Sequence, residues 1–271
     1  MRILGVDIGG TGMKSGIVDT EKGVLDGKRI RVDTPRPATP ERVAEALRFL
    51  IDAQRWEGPV GVGFPAAIHH GIVRSAANVD VSFAGLSIAD YFSERTGHAV
   101  SVLNDADAAG LAEMRFGAAR DVRGAVLVVT IGTGIGTALF IDGRLLPNTE
   151  LGHIFLDNGV EAERYASEAA RVRNKLSWAA WGKRFGRYLT AMERLLWPEL
   201  IVLGGGVSRR YEKFAPFLTT SARVVPARYF NKAGIIGAAL YAVPCTSTAM
   251  PVFFNIPTAS GVRGRAETGS E

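Results

Sequence analysis

The residues that could do chemistry fall into three groups along the chain. The first is a pair of Gly/Thr turns. Gly9-Gly10-Thr11-Gly12 follows an apolar run and is closely followed by Lys14, and Gly132-Thr133-Gly134 follows another apolar run. Such turns let backbone N–H groups converge on an anion, with no Cβ in the way and hydroxyls to assist. The second is Asn104-Asp105, where a β-rich run meets a helical pattern. An N-cap would explain that pair. A carboxylate there could equally take the proton of a hydroxyl attacking a phosphoryl group. The third is Glu150-Leu151-Gly152-His153 together with Glu163. A loop histidine and a helix-start glutamate each have ordinary structural explanations. Taken with Asn104 and Asp105, they supply the donors and acceptors a polyol needs.

The two turns belong to a repeat. Residues 6–12 and 129–135 match at an offset of 123, and Ile17-Val18-Asp19 matches Phe140-Ile141-Asp142 at the same offset. Each unit reads as strand, turn and returning strand, which predicts a duplicated fold holding phosphate between its halves. The common nucleotide motifs do not fit. A Walker loop needs glycine before Lys-Ser, and Met13 stands there. A dinucleotide fingerprint needs a helix after its third glycine, and here a strand pattern continues.

Positioning these groups requires an α/β fold, because short β-rich runs alternate with helical patterns. Strands are predicted over 2–7, 15–19, 24–32, 60–64, 100–103, 125–131, 135–141 and 200–203. Helices are predicted from Pro40 to about Gln54 with Thr39 as cap, over 106–116, and over 231–241. Residues 161–196 read as mostly helical, with an interruption near 178–182. Beyond Val243 the pattern dissolves into an extension, where 252–254 could pin locally.

Composition sets outer bounds. The chain has 271 residues, 32 basic and 27 acidic, for a net charge of +5. Its single cysteine, Cys245, excludes an intrachain disulfide and a cysteine-built zinc site and fits a reducing compartment. The opening residues lack a signal-peptide pattern, and no apolar run approaches roughly 18 residues, so a cytoplasmic protein without a membrane partner is expected. Residues 164–213 carry eleven basic and four acidic side chains, a net of +7. They read either as solvated helix faces or as a track for a linear polyanion. Nothing resembles a DNA-binding helix pair, so nucleic acid is not expected as a partner.

In combination, Asp7-Ile8-Gly9-Gly10-Thr11, Asn104-Asp105-Ala106-Asp107, Gly132-Thr133-Gly134-Ile135-Gly136, Glu150-Leu151-Gly152-His153 and Gly204-Gly205-Gly206-Val207 resemble the motifs of the ROK sugar kinases. The resemblance spans residues 2–243. It implies a two-lobed actin/hexokinase-like fold, a duplicated ribonuclease H-like unit with an interlobe cleft. The lobes are expected over 1–103, closed by a helix near 231–243, and over 104–230, with an extension over 244–271. By resemblance, Asp105 is the base for a sugar 6-hydroxyl, and Asn104, Glu150, His153 and Glu163 bind the sugar. Gly9, Gly10, Thr11, Lys14, Thr133 and Gly134 hold phosphate. Gly205 and Gly206 meet the adenosine side of a nucleotide, and Asp7 serves Mg²⁺ through water. Pro65 and Asn78 are expected to shape the sugar pocket.

Most of that family carries cysteines after the Glu-x-Gly-His motif. Residues 154–162 have none, so no structural zinc is expected and His153 should meet sugar directly. This shortened form, with residues 34–40 and 146–150, resembles the polyphosphate glucokinase and glucomannokinase subgroup. That implies glucose as acceptor, with mannose as a second acceptor in a relative of the subgroup, and inorganic polyphosphate or ATP as donor. Two rivals stay open: an ATP-only kinase for another hexose or an N-acetylhexosamine, and a sugar-sensing regulator without catalysis. Monomer and homodimer are both open.

Overall fold

The computed structural model describes residues 1–75 and 79–244. Asn78, Cys245 and the rest of the expected extension beyond Pro244 lie outside the described residues. The chain runs β1 (Arg2–Ile8), β2 (Met13–Asp19), β3 (Val24–Leu25), β4 (Ile30–Val32), α1 (Pro40–Ala53), β5 (Val60–Phe64), β6 (Ile68–His69) and β7 (Ile72–Val73). It continues through α2 (Ile88–Thr96), β8 (Val100–Asn104), α3 (Asp105–Phe116), β9 (Ala125–Ile131), β10 (Ile135–Ile141) and β11 (Arg144–Leu146). It ends with α4 (Ala162–Ala166), α5 (Glu168–Arg173), α6 (Trp178–Leu196), β12 (Leu200–Gly204), β13 (Val224–Pro226) and α7 (Ala233–Tyr241).

The strands form two sheets of matching order. The first runs β3-β2-β1-β5-β8, with β4 also on β2, and the second runs β11-β10-β9-β12-β13. In each, a β-hairpin is extended by parallel strands on one side. The duplication is therefore real, but its register slips at the turns. Ile8 pairs with Met13 across four residues, whereas Ile131 pairs with Ile135 across three. Up to the turn the halves correspond at an offset of 123, and after it at 122. Asp19 thus matches Ile141 in the fold, not the Asp142 that the sequence repeat suggests.

Helices α3 and α7 pack against each other between the sheets. Helix α7 is buried on all sides from Ala233 to Leu240. It shows no amphipathic stripe because it has no wet face. Its Gly237 has no room for a side chain, since a Cβ there would sit 1.6 Å from the Ala108 carbonyl oxygen of α3. The first lobe's core gathers Leu4, Val6, Leu47, Phe64 and Phe92, and the second lobe's gathers Trp181, Phe185, Tyr188 and Phe214. Among the described residues no helix is long and apolar enough to cross a membrane.

Three local expectations need correction. Thr39 holds the N-cap position of α1, but its hydroxyl makes no capping bond. Residues 24–32 form two short strands rather than one. The helical stretch breaks at Ser167 and again at 174–177, where Ser177 caps α6 by accepting from Ala180 N at 3.2 Å. Trp178 and Gly182 lie inside α6, because Gly182 lets the helix approach Phe214 and Phe217.

Candidate active site

A cleft of about 560 Å³ opens where strands of both sheets end. Strands β1, β5 and β8 are parallel and stop at Ile8, Phe64 and Asn104, and β9 and β12 are parallel and stop at Ile131 and Gly204. Each strand therefore delivers the residues just beyond it to one place, the usual crevice at the carboxyl ends of parallel strands. Asp7, Gly9, Gly10, Thr11, Lys14, Pro65, Asn104, Asp105, Thr133, Gly134, Glu150, His153, Glu163, Gly205 and Gly206 all line it. Every predicted site residue within the described residues is thus brought together.

Asn104 and Asp105 divide the labour at the start of α3. Asn104 is the N-cap, its Oδ1 accepting from Ala106 N at 2.8 Å and from Asp107 N at 3.1 Å. Its Nδ2 donates to Ala66 O at 3.2 Å, tying the cap to the cleft wall after β5. Asp105 presents its carboxyl to the cleft. Burial pushes it up to about 7, and the negative charges of Asp7 and Glu150 push the same way. Asp107, one turn in, is also raised to about 7 by burial. Its Oδ2 accepts from Asn148 N at 2.8 Å, and its Oδ1 has no hydrogen-bond partner among the described residues.

The two turns are not equivalent in charge. In the first, Lys14 Nζ sits 3.1 Å from Asp7 Oδ2. In the second, the corresponding cross-strand pair is Thr130 and Gly136, which carry no charge. Each turn closes on itself, Gly9 N donating to Gly12 O at 3.2 Å and Gly132 N to Gly134 O at 3.0 Å. Gly134 also answers a crowding problem. A Cβ there would lie 2.2 Å from Glu163 Oε2, the atom that accepts from Ile135 N at 2.9 Å. Glu163 thus braces the second turn as well as lining the cleft.

His153 is oriented by a carboxylate that sequence reasoning missed. Its Nδ1 lies 2.6 Å from Glu161 Oε1, while Nε2 lies 3.7 Å from Glu150 Oε2. The bond to Glu161 is the main reason the imidazole is held above its ordinary value. Burial in turn raises Glu150, opposed by His153.

The sequence model of the ROK family matches residues 3–168. The chain belongs to the ROK family. It is 46% identical over 244 residues to a polyphosphate glucokinase of Mycobacterium tuberculosis, covering 90% of this chain and 92% of that one. The crystal structure of an inorganic polyphosphate/ATP-glucomannokinase from Arthrobacter sp. strain KM superposes with a TM-score of 0.85 at 50% identity. It covers 88% of this chain and 97% of that chain. A ROK family glucokinase from Streptomyces griseus, solved with glucose and AMPPNP, gives a TM-score of 0.76 at 26% identity over 89% and 99%. The fold is the actin/hexokinase-like fold of these kinases.

Further residues at or behind the cleft of this ROK chain had no role assigned from the sequence. Glu161 stood two positions before the more conspicuous Glu163. Arg36 lay in the 34–40 segment that carries the subgroup resemblance but was given no role there, and it lines the cleft with Gly9 and Gly10. Phe230 and Asn231 reach the cleft near Gly205 only because the chain returns there to enter α7. The basic side chains of 164–213 do not line the cleft. Several are engaged locally: Arg164 pairs with Glu161, Arg171 with Glu168 and Arg187 with Asp157.

Proposed function

We propose that the chain phosphorylates glucose, and also mannose, at the 6-hydroxyl, drawing the phosphoryl group from inorganic polyphosphate or ATP. The observation that carries this reading is the position of Asp105. It lines the same cleft as Asp7 and the first Gly/Thr turn on one hand and Glu150 of the Glu-x-Gly-His segment on the other. A base placed between a phosphate-holding end and a polyol-holding end suits in-line phosphoryl transfer to a hydroxyl. The names of its relatives, a polyphosphate glucokinase and a polyphosphate/ATP-glucomannokinase, support the same donor and acceptor classes.

In this reading Glu150 and His153 bind sugar hydroxyls, with Glu161 fixing the imidazole so that Nε2 faces the acceptor. Asn104 and Pro65 shape the wall beside it. Asp105 accepts the 6-hydroxyl proton as the oxygen attacks. The N–H groups of Gly10, Thr11, Thr133 and Gly134 and the ammonium of Lys14 hold the transferring phosphate and stabilise its developing charge. Gly205 and Gly206 border the path that a nucleotide's sugar and base would take.

Among the described residues no three His, Cys, Asp or Glu side chains converge as a metal cage. A Mg²⁺ arriving with the donor fits this cleft differently, through few protein ligands and phosphate oxygens. Asp7 is the residue that would hold it. Its side chain is 18% exposed, and it lines the cleft. When bound, the ion would neutralise charge on the donor phosphates.

The donor assay is the direct test. Nucleotide-free protein is mixed with glucose and long-chain polyphosphate, and glucose 6-phosphate is followed. Formation of product is expected, with mannose giving the corresponding ester. No product with polyphosphate, but product with ATP, would reject the polyphosphate donor. Sugar binding without turnover on either donor would reject catalysis.

A further inference from the structure

The loop after β11 is fixed to its own lobe at several points. Asn148 N donates to the buried carboxylate of Asp107 at 2.8 Å. The hydroxyl of Thr137 on β10 donates to Thr149 O, and that of Thr149 returns to Thr137 O at 3.0 Å. Leu151 N donates to Thr137 Oγ1 at 3.1 Å. Glu150 therefore stands on a rigid platform.

One side chain of this platform crosses to the other lobe. Asn148 Oδ1 accepts from Ile68 N at 2.8 Å, and Asn148 Nδ2 donates to Ile68 O at 2.7 Å. The amide thus pairs with the backbone of β6 as a neighbouring strand would. Asn148 has a φ of 58°, in the left-handed region, which asparagine tolerates better than most residues. That turn sends its backbone N–H toward Asp107 and its side chain toward Ile68. Ile68 belongs to the β6–β7 hairpin, and the flanking Pro65, Ala66 and Ser75 form one wall of the cleft.

We propose that Asn148 is a positioning residue, an interlobe clasp that sets the distance between Glu150 and the 65–75 wall and so determines how tightly the sugar is held. It touches neither reacting group. It acts by fixing two walls of the acceptor end relative to each other, where small displacements cost binding. The proposal rests on the assignment of Glu150 and Pro65 to the acceptor end.

The test compares Asn148→Gly with the wild-type chain. Glycine keeps the left-handed backbone, and with it the bond to Asp107, and removes only the side-chain pairing. Losing two neutral hydrogen bonds is expected to raise the KM and the calorimetric Kd for glucose by about tenfold or more. The KM for the phosphoryl donor should stay within about twofold, and the Ile68 amide should lose hydrogen-exchange protection. An unchanged glucose Kd in a folded variant would overturn the clasp. So would a parallel loss of sugar and donor affinity, which marks general loosening. Wild-type protein that neither binds nor phosphorylates glucose is a separate result. It rejects the functional reading itself, and the clasp falls with it.

Discussion

Asp7 and Lys14 face each other across β1 and β2, with Nζ 3.1 Å from Oδ2, and both reach the floor of the cleft. The pair sets the charge of the first Gly/Thr turn. Removing the ammonium leaves the Asp7 carboxylate uncompensated beside the donor phosphates. Lys14→Ala is expected to lower kcat on the order of 10²-fold, as loss of one charge-stabilising donor does. The donor KM should rise while the sugar KM moves little. Steady-state kinetics with donor and sugar varied separately check this, and a loss confined to the sugar KM would contradict it.

Asp105 has to be deprotonated to act as base, and its carboxyl is pushed up to about 7. Activity should therefore rise with pH through about 7 and level off above it. Because the negative charge of Asp7 is part of that push, Asp7→Asn should move the inflection to lower pH. Asp105→Asn should cut kcat by roughly 10²–10⁴-fold, the usual contribution of a positioned base, with glucose affinity largely retained. A variant that keeps near wild-type turnover would remove Asp105 from the mechanism.

Asp107 bears on stability rather than chemistry. Its folded value of about 7 lies above its ordinary 3.8. Between those limits the folded chain keeps a proton that the unfolded chain has lost. Its contribution to stability is complete below pH 4 and is lost as pH rises toward and through 7. Asp107→Asn carries no such charge, and its Oδ1 can still accept from Asn148 N. The melting temperature of the variant relative to wild type should thus climb between pH 4 and pH 8. The corresponding difference in unfolding free energy should widen by roughly 2–4 kcal/mol. Denaturant melts across that range decide it, and a gap that shrinks with rising pH would contradict the burial argument.

Much of the site could be read from the residues alone, because its chemistry sits beside strongly punctuated elements. The Gly/Thr turns end apolar strands, Asn104-Asp105 joins a strand to a helix, and Gly205-Gly206 follows β12. Local pattern singled out the two turns and Asp105, and the family resemblance added Asp7 and the cleft between the lobes; parallel strands whose carboxyl ends converge bring Asp7, Thr11, Asp105 and Thr133 together there. The duplicated hairpin followed from the sequence repeat, whereas the matching strand order of the two sheets came from the structure. Tertiary structure decided what depends on distance rather than order. The one-residue slip between the turns is a matter of pairing register, invisible to a sequence repeat. Gly134 serves the approach of Glu163 as well as any phosphate, and only packing places a carboxylate there. Glu161 reaches His153 through the fold of a loop with no regular period. Asn148 meets Ile68 across eighty positions of chain. Hydrophobic periodicity and turn chemistry act over a few residues, and so the sequence determined the elements and their punctuation. Which polar atoms are buried together, and what that burial does to their charge, was settled only when the two lobes closed on α3 and α7.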